Sequence, residues 1–264
     1  MELKHIIDRL AEQVKTVDLN IIPTQPHYIP SIGTSSEPII VQRLVSEWKK
    51  SHPEEIANIV LKKRGNEKEG CFEIKYPGQK KSTRWRLDFG FSSNSAPVGC
   101  DNLEDLEWVI EFKKINWVGG TGADYAERAV GKLCSPYPAT GPILDDAERV
   151  KRHSFGRRYA VILLSPDVHP DQIEKCRNHP KREERWITDK PNDRLNALTN
   201  TFKKNNQIAL EAEPLLPIVE LIFEYNGIQF NKRIVRKTID LDAHPNYSRL
   251  TIVGWEIKKE SIAD

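Results

Sequence analysis

The chain has 264 residues, 38% of them hydrophobic and 30% charged, with a formal net charge of +2. That length suits one large domain or a core with an added module, and the composition excludes a disordered chain. No apolar run approaches the roughly 20 residues that cross a bilayer, and the opening MELKHIIDRLAEQ has no apolar leader core, so the expected setting is the cytoplasm, with no membrane partner.

The cysteines at 71, 100, 134 and 176 lie far apart and form no CxxC pair. They could make two disulfides, but without a secretion signal the better reading is free thiols in a reducing compartment. A near-neutral charge excludes a generic polycation, so any nucleic-acid binding would rest on local basic stretches such as Lys62-Lys63-Arg64, Lys80-Lys81, Lys151-Arg152 and Lys181-Arg182.

In chain order, residues 2–15 predict an amphipathic helix, with Leu3, Ile6, Ile7, Leu10 and Val14 at helical spacing. A Pro-, Ser- and Gly-containing connector reaches Ser36, and EPIIVQRLVSEWKK then reads as a second helix with Pro38 in its first turn. KKRGNEKEG interrupts the pattern, and CFEIKYP reads as a strand. RWRLDFGF and LEWVIEFKKI are two further strands, joined by the loop SSNSAPVGCDN.

GGTGADYAERAVGKL is a glycine-rich loop entering a short helix. LDDAERVKRH is a helix opening on Asp145 and Asp146, where the helix dipole favours acids, and RRYAVILLSP reads as a fully buried strand. Helix, three strands, helix, strand describes an α/β sandwich with a mixed sheet. Beyond it the pattern predicts helices near 170–178 and 192–210 and strands near 217–225, 229–240 and 249–257. This tail is either an added lobe for recognition or dimerisation or an extension of the same sheet.

Side chains along a strand alternate faces. Glu107, Val109, Glu111, Lys113 and Ile115 therefore share one face of LEWVIEFKKI, while Arg86, Asp88 and Gly90 share one face of RWRLDFGF. Pairing the two strands brings Asp88 near Glu111 and Lys113. Two carboxylates and an ammonium on one sheet suit phosphodiester hydrolysis. Hard oxygens would hold Mg²⁺, with Mn²⁺ as the substitute, and the metal would polarise the phosphate and acidify a bound water. Lys113 would orient or activate that water, or stabilise charge developing on the phosphate.

Asp88 followed, one strand later, by Glu111-Phe112-Lys113 resembles the PD-(D/E)XK nuclease superfamily, the fold of many type II restriction endonucleases. The Glu-x-Lys half matches in full; Leu87 stands where the name-giving proline would be. The order of elements from the helix at 37–50 to the strand ending near Ser165 also looks like that superfamily.

The resemblance covers roughly residues 36–168 and implies a restriction-endonuclease-like α/β/α sandwich with a mixed central sheet; it says nothing about the tail, which the residue pattern makes a C-terminal α+β elaboration. The chain is therefore expected to divide into an N-terminal helix and connector (1–35), a catalytic core (36–168) and a C-terminal extension (169–264), with recognition or dimerisation as the candidate roles of the last. The resemblance implies a Mg²⁺-dependent endodeoxyribonuclease cutting double-stranded DNA, a restriction or other defence enzyme acting most simply as a homodimer with one active site per strand. Asp88, Glu111 and Lys113 would be catalytic. Asp88 and Glu111 would be metal ligands, joined by an acid from the first core helix, with Glu47 the best-placed candidate and Glu37 the second.

Arg84, Arg86 and Lys114 are candidate phosphate contacts and Trp117 a candidate base-stacking residue. Arg84 and Arg86 could instead pair with the acidic stretch 101–107, and Glu111, Lys113 and Lys114 could be cross-strand salt-bridge partners on an exposed sheet edge. RNA, single-stranded or branched DNA, and a non-cleaving nucleic-acid-binding module are the alternative functions. GGTG at 119–122 lacks the Walker spacing, and Cys176 with His179 lacks a second zinc-ligand pair.

Overall fold

A computed structural model describes residues 1–21, 31–56, 60–63, 66–69, 71–75, 86–92, 106–117, 126–135, 141–152, 156–168, 211–238, 241 and 247–259. The helices are α1 (Leu3–Leu19), α2 (Glu37–Ser51), α3 (Ala126–Cys134), α4 (Ile143–Arg152) and α5 (Leu216–Tyr225). The strands are β1 (Val60–Lys63), β2 (Asn66–Glu69), β3 (Cys71–Lys75), β4 (Arg86–Phe91), β5 (Trp108–Lys114), β6 (Arg158–Val168), β7 (Ile234–Lys237) and β8 (Tyr247–Ile257).

Six strands form one mixed sheet in the order β3-β4-β5-β6-β8-β7, while β1 and β2 pair separately. Strands β3, β4 and β5 are antiparallel neighbours; β6 is parallel to β5 and antiparallel to β8. The parallel step needs a crossover, and α3 and α4 supply it. Every residue of β5 is buried, as is all of β6 after Arg158. A strand flanked on both edges and covered on both faces has nowhere to expose a side chain, which accounts for the unbroken apolar run in β6.

Two residues of β8 define the layers. A Cβ on Gly254 would lie 2.5 Å from the Ile7 Cδ1 of α1. The adjacent Trp255 sends its Nε1–H to Glu220 of α5 at 3.0 Å. Consecutive residues of a strand point to opposite faces, so α1 and α5 cover opposite faces of the sheet. α2 lies beside α1, and α3 and α4 lie beside α5. The result is an α/β fold of helix, sheet and helix layers around a mixed sheet.

The segments before and after 36–168 enter the same core. Leu3, Ile6, Ile7, Leu10, Val14 and Val17 of α1 are buried against the sheet, and β8 pairs with β6 along its whole length. Of the two readings of the tail, extension of the central sheet describes 247–257. Residues 217–225, expected as a strand, are instead helical in α5. Pro217 occupies the first turn, and Leu216, Val219, Ile222 and Phe223 form a buried stripe at helical spacing. A run of Ile, Val and Phe favours a strand only where packing on a pleated surface rewards it, and here the helix layer decides. Within the segment 62–70, read as a break in pattern, lie parts of β1 and β2, which pair Val60–Lys63 with Asn66–Glu69. The helices expected at 170–178 and 192–210 lie outside the described residues.

Candidate active site

β4 and β5 pair with Phe89 opposite Ile110 and Gly90 opposite Val109. One step further along that register sets Asp88 opposite Glu111. Phe89 and Phe91 stack at 5.2 Å on the α2 side, where Trp48 meets Phe91 edge-on at 5.6 Å. Alternation therefore turns Asp88, Glu111 and Lys113 to the other side, toward α4. The Phe112 N–H donates to Asp88 Oδ2 at 2.8 Å, which fixes the Asp88 carboxyl against β5.

Glu111 is fully buried and Lys113 is 8% exposed. Charges at that depth are costly unless paired, and α4 supplies the partners. Arg149 Nη2 reaches Glu111 Oε2 at 3.2 Å and also bonds Asp146, while its Nη1 takes Asp145 at 2.7 Å. Asp146 Oδ2 lies 2.8 Å from Lys113 Nζ. From the other layer, Glu37 in the first turn of α2 accepts the backbone N–H of Lys114 at the end of β5. The Lys132 ammonium of α3 approaches the Lys114 carbonyl at 3.5 Å.

The titration behaviour follows from this crowding. Burial raises the Asp88 carboxyl well above its usual range; repulsion by Glu111 and Glu37 and a hydrogen bond with Glu111 add to that, against the Phe112 N–H. Burial works against the Lys113 ammonium, but Asp146 and Glu37 outweigh it and raise its pKa. Burial pushes Lys114 down to about 7, with Glu37 opposing. Burial and the nearby Lys113 lower Lys132.

Asp88 and Glu111 thus stand as neighbouring carboxyls on one face of the β4–β5 pair. Among the described residues, no three His, Cys, Asp or Glu side chains stand close enough to hold one metal ion together. Two carboxylates with waters and a substrate phosphate are nonetheless a usual shell for Mg²⁺. Acids whose mutual repulsion raises a pKa are stabilised by a cation between them, so this donor pair fits such an ion.

Several expected site residues stand elsewhere. Glu47 lies roughly 15 Å further along the α2 axis than Glu37 and pairs with Lys50 at 2.6 Å, so Glu37 is the helix acid beside the pair. Lys114 is 4% exposed, and its Nζ donates to the Gly33 carbonyl at 2.9 Å and to Asn116 Oδ1. That ammonium is turned away from any phosphate because even-numbered positions of β5 face the α1–α2 layer. Trp117 is fully buried, with its Nε1–H on Ser165 Oγ at 2.9 Å, and is a core residue rather than a stacking platform. Arg84 and the acidic stretch 101–105 lie outside the described residues, and of Arg86 only the backbone is described.

Asp146, Arg149 and Lys132 had no assigned role in the sequence. One signal was available for Asp146: it sits within the stripe Ile143, Leu144, Ala147 and Val150 that α4 buries. An acid on the apolar face of a helix needs a buried partner, which a dipole argument does not supply.

Comparison of the chain with protein-family models, curated proteins and solved structures returned no match.

Proposed function

We propose that the chain is a metal-dependent nuclease of the PD-(D/E)XK kind, an endodeoxyribonuclease acting on double-stranded DNA in restriction or another defence role. One observation carries the reading: Asp88 stands opposite Glu111, with Lys113 on the same face, at the carboxyl end of a central strand. The order of α2, three antiparallel strands, a helical crossover and a parallel strand also agrees with the element order of the resemblance.

Asp88 and Glu111 would hold Mg²⁺ or Mn²⁺, which when bound polarises a phosphate and lowers the pKa of a water. The chain's own groups divide the remaining work. The Phe112 N–H fixes the Asp88 carboxyl, and Arg149 orients Glu111. Lys113 offers its ammonium to the charge that accumulates on phosphate oxygens during attack. Two such centres in a homodimer would cut both strands.

The test is incubation with unmethylated phage or plasmid DNA, with Mg²⁺ and with EDTA, alongside Lys113→Ala. Discrete Mg²⁺-dependent fragments, absent for Lys113→Ala although it still binds DNA, are expected. Wild-type cutting by Lys113→Ala removes the assigned centre. DNA left intact in every lane transfers the site to RNA or single strands, or leaves a binding module.

A further inference from the structure

Glu111 and Lys113 are two apart on a strand, so their Cα atoms are about 6.6 Å apart on one face. Asp146 and Arg149 are three apart on a helix, where neighbouring side chains lie about 5–6 Å from each other. One helical turn therefore matches one two-residue repeat of the strand. The four charges close into a ring: Lys113 to Asp146 at 2.8 Å, Asp146 to Arg149, Arg149 to Glu111 at 3.2 Å, and Glu111 back to Lys113 through the strand.

We propose that Asp146 is the positioning residue for Lys113, so that α4 sets where the ammonium meets a scissile phosphate; this rests on the nuclease reading above. Lys113 has a flexible four-carbon stem, and freezing it costs rotamer entropy. A reacting group must be frozen before the phosphate arrives. Asp146 is fitted for that work because it cannot itself move: it is fully buried and flanked on α4 by the buried Ile143, Leu144, Ala147 and Val150. Its Oδ2 is within ion-pair reach of the Lys113 ammonium at 2.8 Å. This ion pair holds the head, and a lysine has three N–H donors that can turn to phosphate. Stability alone is a poor reason for the arrangement, since an apolar side chain of similar size often serves a buried position as well as an ion pair does.

The experiment compares full-length wild type, Asp146→Asn, Asp146→Glu, Asp146→Ser and Lys113→Ala by single-turnover cleavage in Mg²⁺. DNA affinity is measured in Ca²⁺ and melting by circular dichroism. Asp146→Asn is expected to lose about a hundredfold in cleavage rate, the cost of a misplacement of an ångström or so, with DNA affinity within threefold of wild type. Asp146→Glu recovers most of the rate. Asp146→Ser, which admits a water, replaces Asp146→Asn if the latter does not fold.

A purely structural role predicts instead that rate follows melting temperature across the series, and that order overturns the proposal. So does Asp146→Asn cutting at full rate while Lys113→Ala is dead, which leaves the nuclease centre intact. Lys113→Ala cutting at full rate sinks the centre itself. A readout without catalysis is acetylation of Lys113 by acetic anhydride, followed by peptide mass: it accelerates severalfold in Asp146→Asn, and an unchanged rate also overturns the proposal.

Discussion

Asp88 Oδ2 accepts the Phe112 N–H at 2.8 Å, so a carboxyl on one strand is tied to the backbone beside the Glu111 that repels it. The hydrogen bond holds two acids together against their charge.

The first prediction concerns that repulsion. Because the Asp88 pKa is raised, the folded chain holds this proton more tightly than the unfolded chain does. Stability from the group is therefore gained as pH falls toward the unfolded value, and at neutral pH, where the unfolded carboxyl is ionised, the group is a penalty to the fold. Asp88→Asn keeps an oxygen for the Phe112 N–H and removes the charge. In EDTA at pH 7 it is expected to melt about 2–4 °C above wild type, the shift for about 1 kcal/mol in a chain of this size. The gap closes near pH 4, while Mg²⁺-dependent cleavage is lost. A melting temperature below wild type at pH 7 contradicts the account.

A second, oppositely signed titration lies away from the site. Arg9 grips Glu55 with Nη2 at 2.7 Å and Nε at 2.9 Å; Trp48 Nε1–H adds 2.9 Å and His5 Nε2 stands at 3.0 Å. The Arg9 hydrogen bonds hold the Glu55 carboxyl down at about 2. A depressed carboxyl contributes stability above its unfolded value, lost as pH falls from about 4.5 to about 2. Glu55→Gln should lower the urea midpoint at pH 7 by the equivalent of about 1–2 kcal/mol, after allowance for solvent screening. Near pH 2 the two proteins should unfold together.

Lys114 supplies a third. Burial lowers it to about 7, whereas the unfolded chain keeps the proton to about 10.5. Folding thus releases a proton between those values, and stability falls as pH is lowered through the window and is flat below it. Lys114→Met should reduce that slope in urea titrations between pH 7 and 10, leaving the part that the lowered Lys132 and Lys259 contribute. Its DNA affinity should stay within about twofold, because a buried ammonium makes no phosphate contact to lose. A large drop in affinity with a smaller salt slope would return Lys114 to the DNA surface.

Trp117 is expected to behave as core. Trp117→Ala should cost about 3–5 kcal/mol in urea unfolding, typical of deleting a buried aromatic. Trp117→Phe, which loses the hydrogen bond to Ser165 and little volume, should fold and bind DNA like wild type. Weakened DNA binding by a stable Trp117→Phe would contradict this.

Periodicity was enough for much of the architecture. Alternation in RWRLDFGF and LEWVIEFKKI put Asp88, Glu111 and Lys113 on common faces, and the unbroken apolar run at 159–164 marked a strand buried on both sides. These patterns are legible because a strand has a period of two and a helix of 3.6, whatever surrounds them. Two neighbours in sequence, Lys113 and Lys114, already had to part to opposite faces on that rule alone. The same rule turned Lys114 away from the side it was expected to serve.

What periodicity cannot carry is which elements meet. Nothing local says that the first turn of α2, rather than its middle, lies over the end of β5, and this separates Glu37 from Glu47. Nothing local says that α4 docks with Asp146 and Arg149 over Glu111 and Lys113, or that 216–225 joins a helix layer. The sequence by itself determined α1 to α4, β3 to β6 and the faces of their charged residues, because those depend on backbone geometry over a few residues. Only the tertiary structure decided the partners, because a buried charge is stabilised by groups that chain connectivity leaves far away: Asp146 is separated from Lys113 by a crossover and joined to it by 2.8 Å.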